Sequence, residues 1–192
     1  MNKSELNEAR TNPDFLKYLE ETRVNSIEQN NISAMYETLD SMLVLGLDEE
    51  KINSLYENIL KLSFERVEEL INNKKLKLAE DELLYVRAFF EHAVEKWSMG
   101  NFKGASELVF VLANIIDDEV LEKSLNILLI ALSKQATLDD FFDNQVDYQK
   151  DPSDEKYGYF ITNFKFDQDK YLEDNKAVLK KLYKKYQPLL DA

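Results

Sequence analysis

The sequence of 192 residues contains no cysteine, only four glycines and three prolines, and a single histidine. Without cysteine the chain has no disulfide bond, no thiolate nucleophile and no cysteine-ligated zinc. The lone histidine, His92, lacks the partners that a Ser–His–Asp triad or a histidine zinc site requires. Because glycine and proline punctuate turns, their scarcity favours long helices over many short strands.

Sequence motifs for phosphate or metal binding are also missing. Neither GxGxxG nor GxxxxGK[ST] occurs, which removes the usual phosphate-binding loops. A calcium loop is not formed either, because Asp167 and Asp169 are followed by Tyr171 without the required glycine. Carboxylates are abundant, but no pair stands out as a hydrolytic site. We therefore predict a non-enzyme with no catalytic, cofactor-binding or metal-binding residues, and we rank an enzyme with a carboxylate-lined pocket last.

No apolar run approaches the roughly 18 residues that a membrane-spanning helix needs. The first fourteen residues lack the apolar core of a signal peptide. The formal net charge is −13, from 24 basic and 37 acidic side chains. Nucleic acids and anionic membranes are polyanions, so this charge disfavours both as partners. We expect a soluble, cytoplasmic protein that binds neither.

The charge is unevenly distributed along the chain. Residues 170–192 contain six lysines and three carboxylates, a net charge of +3, so residues 1–169 carry −16. An acidic body with a basic tail can pair within one chain or between two copies in a homodimer. The alternative is an ordinary solvated surface that keeps the protein in solution.

The most apolar part of the sequence lies between residues 97 and 134. Two apolar runs, residues 108–113 and 127–132, are too continuous to form one stripe on an exposed helix. The polar residues Asp117, Asp118 and Glu119 separate them and are suited to cap a new helix. The pattern predicts a buried hairpin of helices over about residues 103–116 and 118–134, with other helices packed around it.

Helix start and stop signals divide the remaining sequence. Asn12 before Pro13 predicts the start of a helix. Gly46 is suited to the left-handed C-terminal cap of a second helix, and Asp48 is suited to cap the helix that follows. Polar residues 72–75 end that helix, and apolar residues in steps of three and four predict another over about 76–99. We predict a single all-α domain over residues 1–192, an irregular multi-helix bundle or helical-repeat-like array of six to seven helices.

We expect different structures at the two ends of the chain. Residues 1–11 are expected to fray, residues 143–156 to form a loop, and residues 168–187 to form the C-terminal helix. Residues 157–166 read YGYFITNFKF, which is aromatic and β-branched. A single strand leaves its backbone unpaired, so this segment either pairs with a second copy or lies extended across the helices. We favour the second arrangement.

Aromatic residues supply the candidate binding site. The chain has ten tyrosines, eleven phenylalanines and one tryptophan, and tyrosine combines large contact area with a polar tip, as binding grooves require. Strong helical periodicity assigns Phe89, Phe90, Trp97 and Phe110 to the core. Four aromatic residues lie outside such periodicity and are predicted to contact a partner: Tyr157, Tyr159, Phe160 and Phe164.

Residues 89–117 resemble a tetratricopeptide-repeat hairpin. The matching positions are Ala93, Gly100, Phe102, Ala105 and Val109. Leu112 departs from the pattern, because the family has a small residue there, and no proline follows Ile116. A 34-residue shift finds no second copy, and repeat arrays need several copies to be stable, so the resemblance is limited to this one hairpin. The resemblance implies a helical surface that binds a peptide or another protein.

Two binding hypotheses follow. The first is a protein-interaction module, an adaptor or chaperone-like binder of another protein or peptide, based on the missing catalytic groups and the surplus of aromatic residues. The alternative is an acidic mimic of nucleic acid that inhibits or regulates a basic protein, based on the negative body. The second hypothesis predicts binding that weakens steeply with salt.

Overall fold

The computed structural model describes residues 3–71 and 74–190, and all regular structure in these residues is helical. This confirms the predicted all-α class. The α-helices are α1 Lys3–Thr11, α2 Pro13–Glu28, α3 Ile32–Leu45, α4 Glu49–Ile71, α5 Glu80–Ser98, α6 Phe102–Ile115, α7 Glu119–Ser133, α8 Leu138–Gln145, α9 Gln168–Asp174 and α10 Lys176–Tyr186. In the described part of the chain, no helix is both long and apolar enough to span a membrane.

The chain consists of two compact units, residues 1–67 and residues 68–192, with the division inside α4. Each unit is described separately below. The expectation that residues 1–192 form one domain stays a prediction. The expected helix end at residues 72–75 lies partly outside the described residues, because residues 72 and 73 belong to the gap.

In the first unit, the predicted caps are confirmed. The Asn12 side chain accepts hydrogen bonds from the backbone N–H groups of Asp14 and Phe15 at the start of α2. Gly46 ends α3 with φ +59°, in the left-handed region that glycine adopts without strain. The Asp48 side chain accepts from the backbone N–H of Lys51 in the first turn of α4. These polar groups satisfy helix ends and fix where the helices start and stop.

Residues 3–11 form a helix, so the predicted fraying of residues 1–11 is wrong for this part. The Arg10 side chain donates hydrogen bonds to the carbonyls of Leu45 and Val44 at the C-terminal end of α3. A guanidinium group at this position satisfies carbonyls that have no partner within the helix and favours the negative end of the helix dipole. This long-range contact connects α1 to α3, and no local sequence pattern predicts it.

Glu20 on α2 carries the most strongly shifted carboxyl group of the first unit. Its pKa is lowered from 4.5 to about 2, chiefly by the hydrogen bond from Arg23 and then by Lys51, against an opposing effect of burial. We expect the side-chain ¹³C signal of Glu20 in an NMR titration to have its midpoint near pH 2, and the Arg23→Gln variant to titrate at a higher pH. A wild-type midpoint near 4.5 would contradict this assignment.

In the second unit, α6 and α7 form the predicted hairpin between α5 on one side and α9 and α10 on the other. Every residue of α7 from Ser124 to Leu132 is buried. On α6, Leu108 and Val111 are partly exposed, so this helix is less enclosed than its continuous apolar run predicted. The Asp118 side chain caps α7 by accepting from the backbone N–H of Leu121, as its position between the apolar runs indicated.

The helix predicted over about 76–99 begins later, at Glu80, which is a correction of its boundary. Leu76 is completely buried, but its backbone pairs with the end of α6 instead of joining a helix. Its N–H donates to the Ile115 carbonyl, and its carbonyl accepts from the Asp117 N–H, both at 2.7 Å. The helical spacing of the apolar residues therefore predicted correctly that Leu76 is buried, but it did not predict that the backbone at Leu76 is non-helical.

The end of the second unit differs from the predicted boundaries. Helix α8 includes residues 143–145, and residues 155–157 form a 3₁₀ turn, so the predicted loop 143–156 is shorter than expected. Within the predicted segment 157–166, residue 157 ends this 3₁₀ turn, and residues 158–166 are irregular apart from a single antiparallel bridge between Val146 and Phe164. The predicted helix 168–187 is divided at Asn175, whose side chain donates to the Tyr171 carbonyl. An asparagine side chain that donates to the carbonyl four residues earlier competes with the backbone hydrogen bonds that continue the helix.

Candidate partner-binding surface

The four predicted contact residues do not share one exposed surface. Tyr157, Phe160 and Phe164 are buried, while Tyr159 is 42% exposed. The rings of Phe160 and Phe90 meet edge to face with centroids 5.2 Å apart, and Phe164 contacts Phe141 at 6.2 Å. These contacts attach the irregular segment to α5 and α8. Partner binding by the four residues stays a prediction, and only Tyr159 offers an accessible ring.

Tyr157 is held at the N-terminus of α7 by Asp118. Its hydroxyl lies 3.0 Å from both carboxylate oxygens, and Lys156 Nζ lies 2.8 Å from Oδ2. Burial disfavours the charged form of Asp118, but the bonds from Lys156, the Leu121 N–H and Tyr157 outweigh it and lower its pKa. Burial and the Asp118 charge raise the pKa of Tyr157, so its phenol stays a hydrogen-bond donor. This arrangement anchors the chain after the loop.

Two exposed rings that the sequence did not single out as contact residues lie at the end of α8 and in the following loop. Phe142 and Tyr148 are 39% and 63% exposed. Their rings are stacked, with centroids 5.9 Å apart and an angle of 10° between the planes. The side chain of Lys165 extends towards this pair, with Nζ 5.7 Å from the centroid of the Tyr148 ring. The pair forms a flat aromatic platform that solvent reaches.

The platform borders a shallow pocket of about 220 Å³. Phe142 and Tyr148 line it together with buried Phe160 and the neighbouring parts of residues 146–152 and 157–163. The Asn163 side chain donates to the carbonyls of Lys150 and Asp151 and holds the two segments together. Two chain segments therefore form the pocket, so its shape depends on the anchored fold and not on a single loop.

Carboxylates are frequent in the part of the sequence that contains the platform. Residues 139–155 contain seven, at positions 139, 140, 143, 147, 151, 154 and 155, and one lysine, Lys150, which gives a net charge of −6. Six of the seven are exposed, and Asp147 is partly exposed and lines the pocket. Among the side chains that the structure describes, those of residues 6–70 and 74–190, none of them forms an ion pair with a lysine or an arginine. We call Phe142, Tyr148 and these seven carboxylates the acidic aromatic surface.

The sequence contained a signal for this surface. Phe142 lies in the short helix that begins after Thr137, and Tyr148 lies in the run DNQVDYQKD. An aromatic residue among acidic loop residues has no helical face to fill, so exposure is the natural expectation.

Comparison with protein-family models, curated proteins and solved structures finds no match to this chain. The resemblance of residues 89–117 to a tetratricopeptide-repeat hairpin therefore stays a prediction. Ala93 and Ala105, which carry part of it, are buried between α5 and α6, and Gly100 has φ +73° in the connecting turn.

Other chemistry-bearing groups of the chain do not converge on this surface. His92 Nδ1 lies 2.8 Å from a carboxylate oxygen of Glu95, one turn away on α5. Among the residues with described positions, no group of three or more histidine or acidic side chains is arranged to hold a metal ion. The geometry of the acidic aromatic surface is suited to binding by charge and ring contact.

Proposed function

We propose that this chain is a non-catalytic protein-interaction module whose acidic aromatic surface binds a cationic segment of another protein or peptide. The observation that carries the proposal is the exposed, stacked pair Phe142 and Tyr148 among seven carboxylates that have no ion-pair partner in the described chain. Exposed rings supply contact area, and the carboxylates select the sign of the partner's charge.

Contacts within the chain illustrate the ring chemistry that a partner would use. Lys165 Nζ lies 5.7 Å from the Tyr148 ring centroid, and the Arg87 guanidinium carbon lies 4.3 Å from the centroid of Tyr159. Cations over aromatic faces at such distances gain about 0.5–1 kcal/mol at exposed sites. With 63% of Tyr148 exposed, its ring has room for a further cationic side chain from a partner.

The charge of the surface supplies the second part of recognition. Residues 139–155 carry a net charge of −6, which becomes −5 when Lys165 beside the Tyr148 ring is included. This charge raises the association rate of a cationic segment and disfavours anionic competitors. Each exposed ion pair stabilises a complex by about 0.5 kcal/mol, so three pairs give about 1.5 kcal/mol, which corresponds to slightly more than a tenfold change in Kd.

The test uses the full chain and a fluorescent arginine-rich peptide as the probe. Changing Asp143, Asp147 and Asp151 to Asn is expected to raise the Kd about tenfold in fluorescence anisotropy, because three exposed attractions are lost. A matched control changes Glu37, Glu50 and Glu57 to Gln, which removes the same charge from exposed positions of the first unit. We expect the control to change the Kd less than about twofold.

The aromatic platform has its own matched pair of variants. Tyr148→Ala is expected to weaken peptide binding about threefold, and Tyr18→Ala, at a tyrosine of nearly equal exposure, to leave it unchanged (63% and 62% exposed). If the aspartate variant and its charge control weaken peptide binding equally, the effect comes from net charge and is not specific to this surface. That result, or no binding of the peptide by the wild-type chain, would contradict the proposal.

The acidic mimic of nucleic acid is a second candidate function, favoured by the same unpaired carboxylates and by the net charge of −13. The two functions differ in what competes with the chain. A mimic occupies the nucleic-acid site of a basic protein, so double-stranded DNA displaces it from that protein. An interaction module that binds a separate cationic segment keeps its partner when DNA occupies that site.

A further inference from the structure

Helix α10 presents a second charged surface, opposite in sign to the first. Its five lysines, Lys176, Lys180, Lys181, Lys184 and Lys185, are all exposed. At 100° per residue they cover one half of the helix circumference, and Val178, Leu179, Leu182, Tyr183 and Tyr186 cover the other half. The helix contains no acidic residue, so it carries +5. We call these five lysines the lysine ridge.

The apolar half of α10 is already occupied within the chain. The Tyr183 hydroxyl donates to Asn126 Oδ1 on α7 at 2.9 Å, and the rings of Tyr183 and Tyr186 contact Phe110 on α6. The lysine ridge therefore points away from the core, and a partner reaches it without undocking the helix. A membrane would need the apolar half, which this packing covers.

Most of the lysine ridge lacks an ionic partner inside the chain. Lys176 pairs with Glu173 at 3.2 Å, and Lys185 contacts the Tyr186 ring and hydroxyl. Lys180, Lys181 and Lys184 form no ion pair with any residue that the structure describes. None of the ridge lysines pairs with residues 139–155 of its own chain. Both charged surfaces are thus available at once.

We propose that the lysine ridge of one copy docks on the acidic aromatic surface of a second copy. This inference rests on the proposed function, because it names a cationic segment that the surface binds. The charges match closely, with +5 on α10 against −6 on residues 139–155, and lysines also suit the exposed rings of Phe142 and Tyr148. The net charge of −13 on each copy repels the other copy, so the local attraction between the lysine ridge and the acidic aromatic surface has to exceed this repulsion.

A closed pair uses the contact twice. When two copies are related by a twofold axis, the ridge of each docks on the acidic surface of the other, and the assembly stops at two. Each contact joins exposed charges, so screening by salt weakens both together. The pair therefore dissociates as the Debye length falls from about 10 Å at 0.1 M salt to about 3 Å at 1 M.

The experiment measures mass in solution for the full chain and its charge variants. Light scattering coupled to gel filtration is expected to give twice 22.5 kDa for the wild type at low salt and 22.5 kDa at high salt. Changing Lys180, Lys181 and Lys184 to Glu is expected to give the single mass at low salt, as is changing Asp143, Asp147 and Asp151 to Lys. A control that changes exposed Lys61, Lys75 and Lys170 to Glu is expected to keep the mass of two copies at low salt.

A charge swap makes the test specific. Mixing the lysine variant with the aspartate variant, or combining both sets in one chain, restores opposite charges across the contact and is expected to restore the double mass. A wild type of single mass at low salt, an unchanged mass in the lysine variant, or a swap without recovery would each overturn the inference. The lysine variant keeps its acidic aromatic surface, so arginine-rich peptide binding by that variant tests the proposed function separately. If the chain has the mass of one copy in solution and still binds the peptide, only the self-docking is overturned.

Discussion

Replacing Phe110 by alanine is expected to lower the free energy of unfolding of the second unit by about 3–5 kcal/mol. Phe110 is completely buried on α6, and its ring lies 5.1 Å from that of Tyr183 and 5.6 Å from that of Tyr186. Removing it opens a cavity where α6 meets α10 and also removes two aromatic contacts. The loss is large because the surrounding helices close such a cavity only partly.

Urea unfolding followed by the fluorescence of Trp97 measures this loss. Trp97 is the only tryptophan of the chain, it is buried, and its ring N–H donates to the Ala136 carbonyl in the second unit. Val120→Ala on α7 is the control, because Val120 is 41% exposed and its truncation is expected to cost less than about 0.5 kcal/mol. A loss below about 1 kcal/mol for Phe110→Ala would contradict the packing of α10 on the hairpin.

The second large effect is expected at Asp118, where alanine is predicted to cost about 3 kcal/mol. The substitution removes the cap of α7, the ion pair with Lys156 and the acceptor of the Tyr157 hydroxyl together. The carboxylate side chain is only 8% exposed, so water does not replace these contacts within the fold. Residues 154–160 lose their anchor to the hairpin in the variant.

The same anchor makes stability depend on pH in a defined direction. The pKa of Asp118 is lower in the folded chain than its ordinary value of 3.8. Its stabilising contribution is therefore complete above that value and is lost as the pH falls through the lowered pKa. Between neutral pH and acid, the wild type is expected to lose more stability than Asp118→Asn, because the amide has no charge to lose.

Asp117 provides a matched control for Asp118. It is the preceding residue of the same turn, it is exposed, and its side chain forms no bond with the described residues. Asp117→Ala is expected to change the free energy of unfolding by less than about 0.5 kcal/mol. If the two alanine variants lose the same free energy of unfolding in this urea titration, the contacts of Asp118 do not stabilise the fold.

Helix caps and the central hairpin could be predicted because their signals are local. Asn12, Gly46, Asp48 and Asp118 each act within three residues of their own position, so the sequence alone contains the interaction. The helical class follows for the same reason, since apolar spacing reports which face of a helix is buried. The added helix α1 depends instead on Arg10 reaching α3, which lies 34–35 residues later in the chain.

The candidate site was harder to predict because exposure is set by tertiary packing. Residues 157–166 have no clear period, so nothing local distinguishes buried Phe160 from exposed Tyr159. Phe160 is buried by Phe90, seventy residues earlier, and Tyr157 by the side chain of Asp118. Partner contact by the predicted segment stays a prediction, and its exposed ring, Tyr159, is joined by exposed rings at Phe142 and Tyr148 earlier in the chain.

A photo-crosslinking amino acid at position 148, compared with the same substitution at position 18, tests the central proposal most directly. The two tyrosines are equally exposed, at 63% and 62%, and only position 148 lies on the acidic aromatic surface. Irradiated in cells that make the chain natively, position 148 is expected to crosslink to a lysine- or arginine-rich segment that mass spectrometry identifies, and position 18 is not. Such a segment in another protein supports the interaction module, and residues 176–186 of a second copy support self-docking. No crosslink at position 148, the same products from both positions, or crosslinks to acidic or uncharged segments would contradict the account.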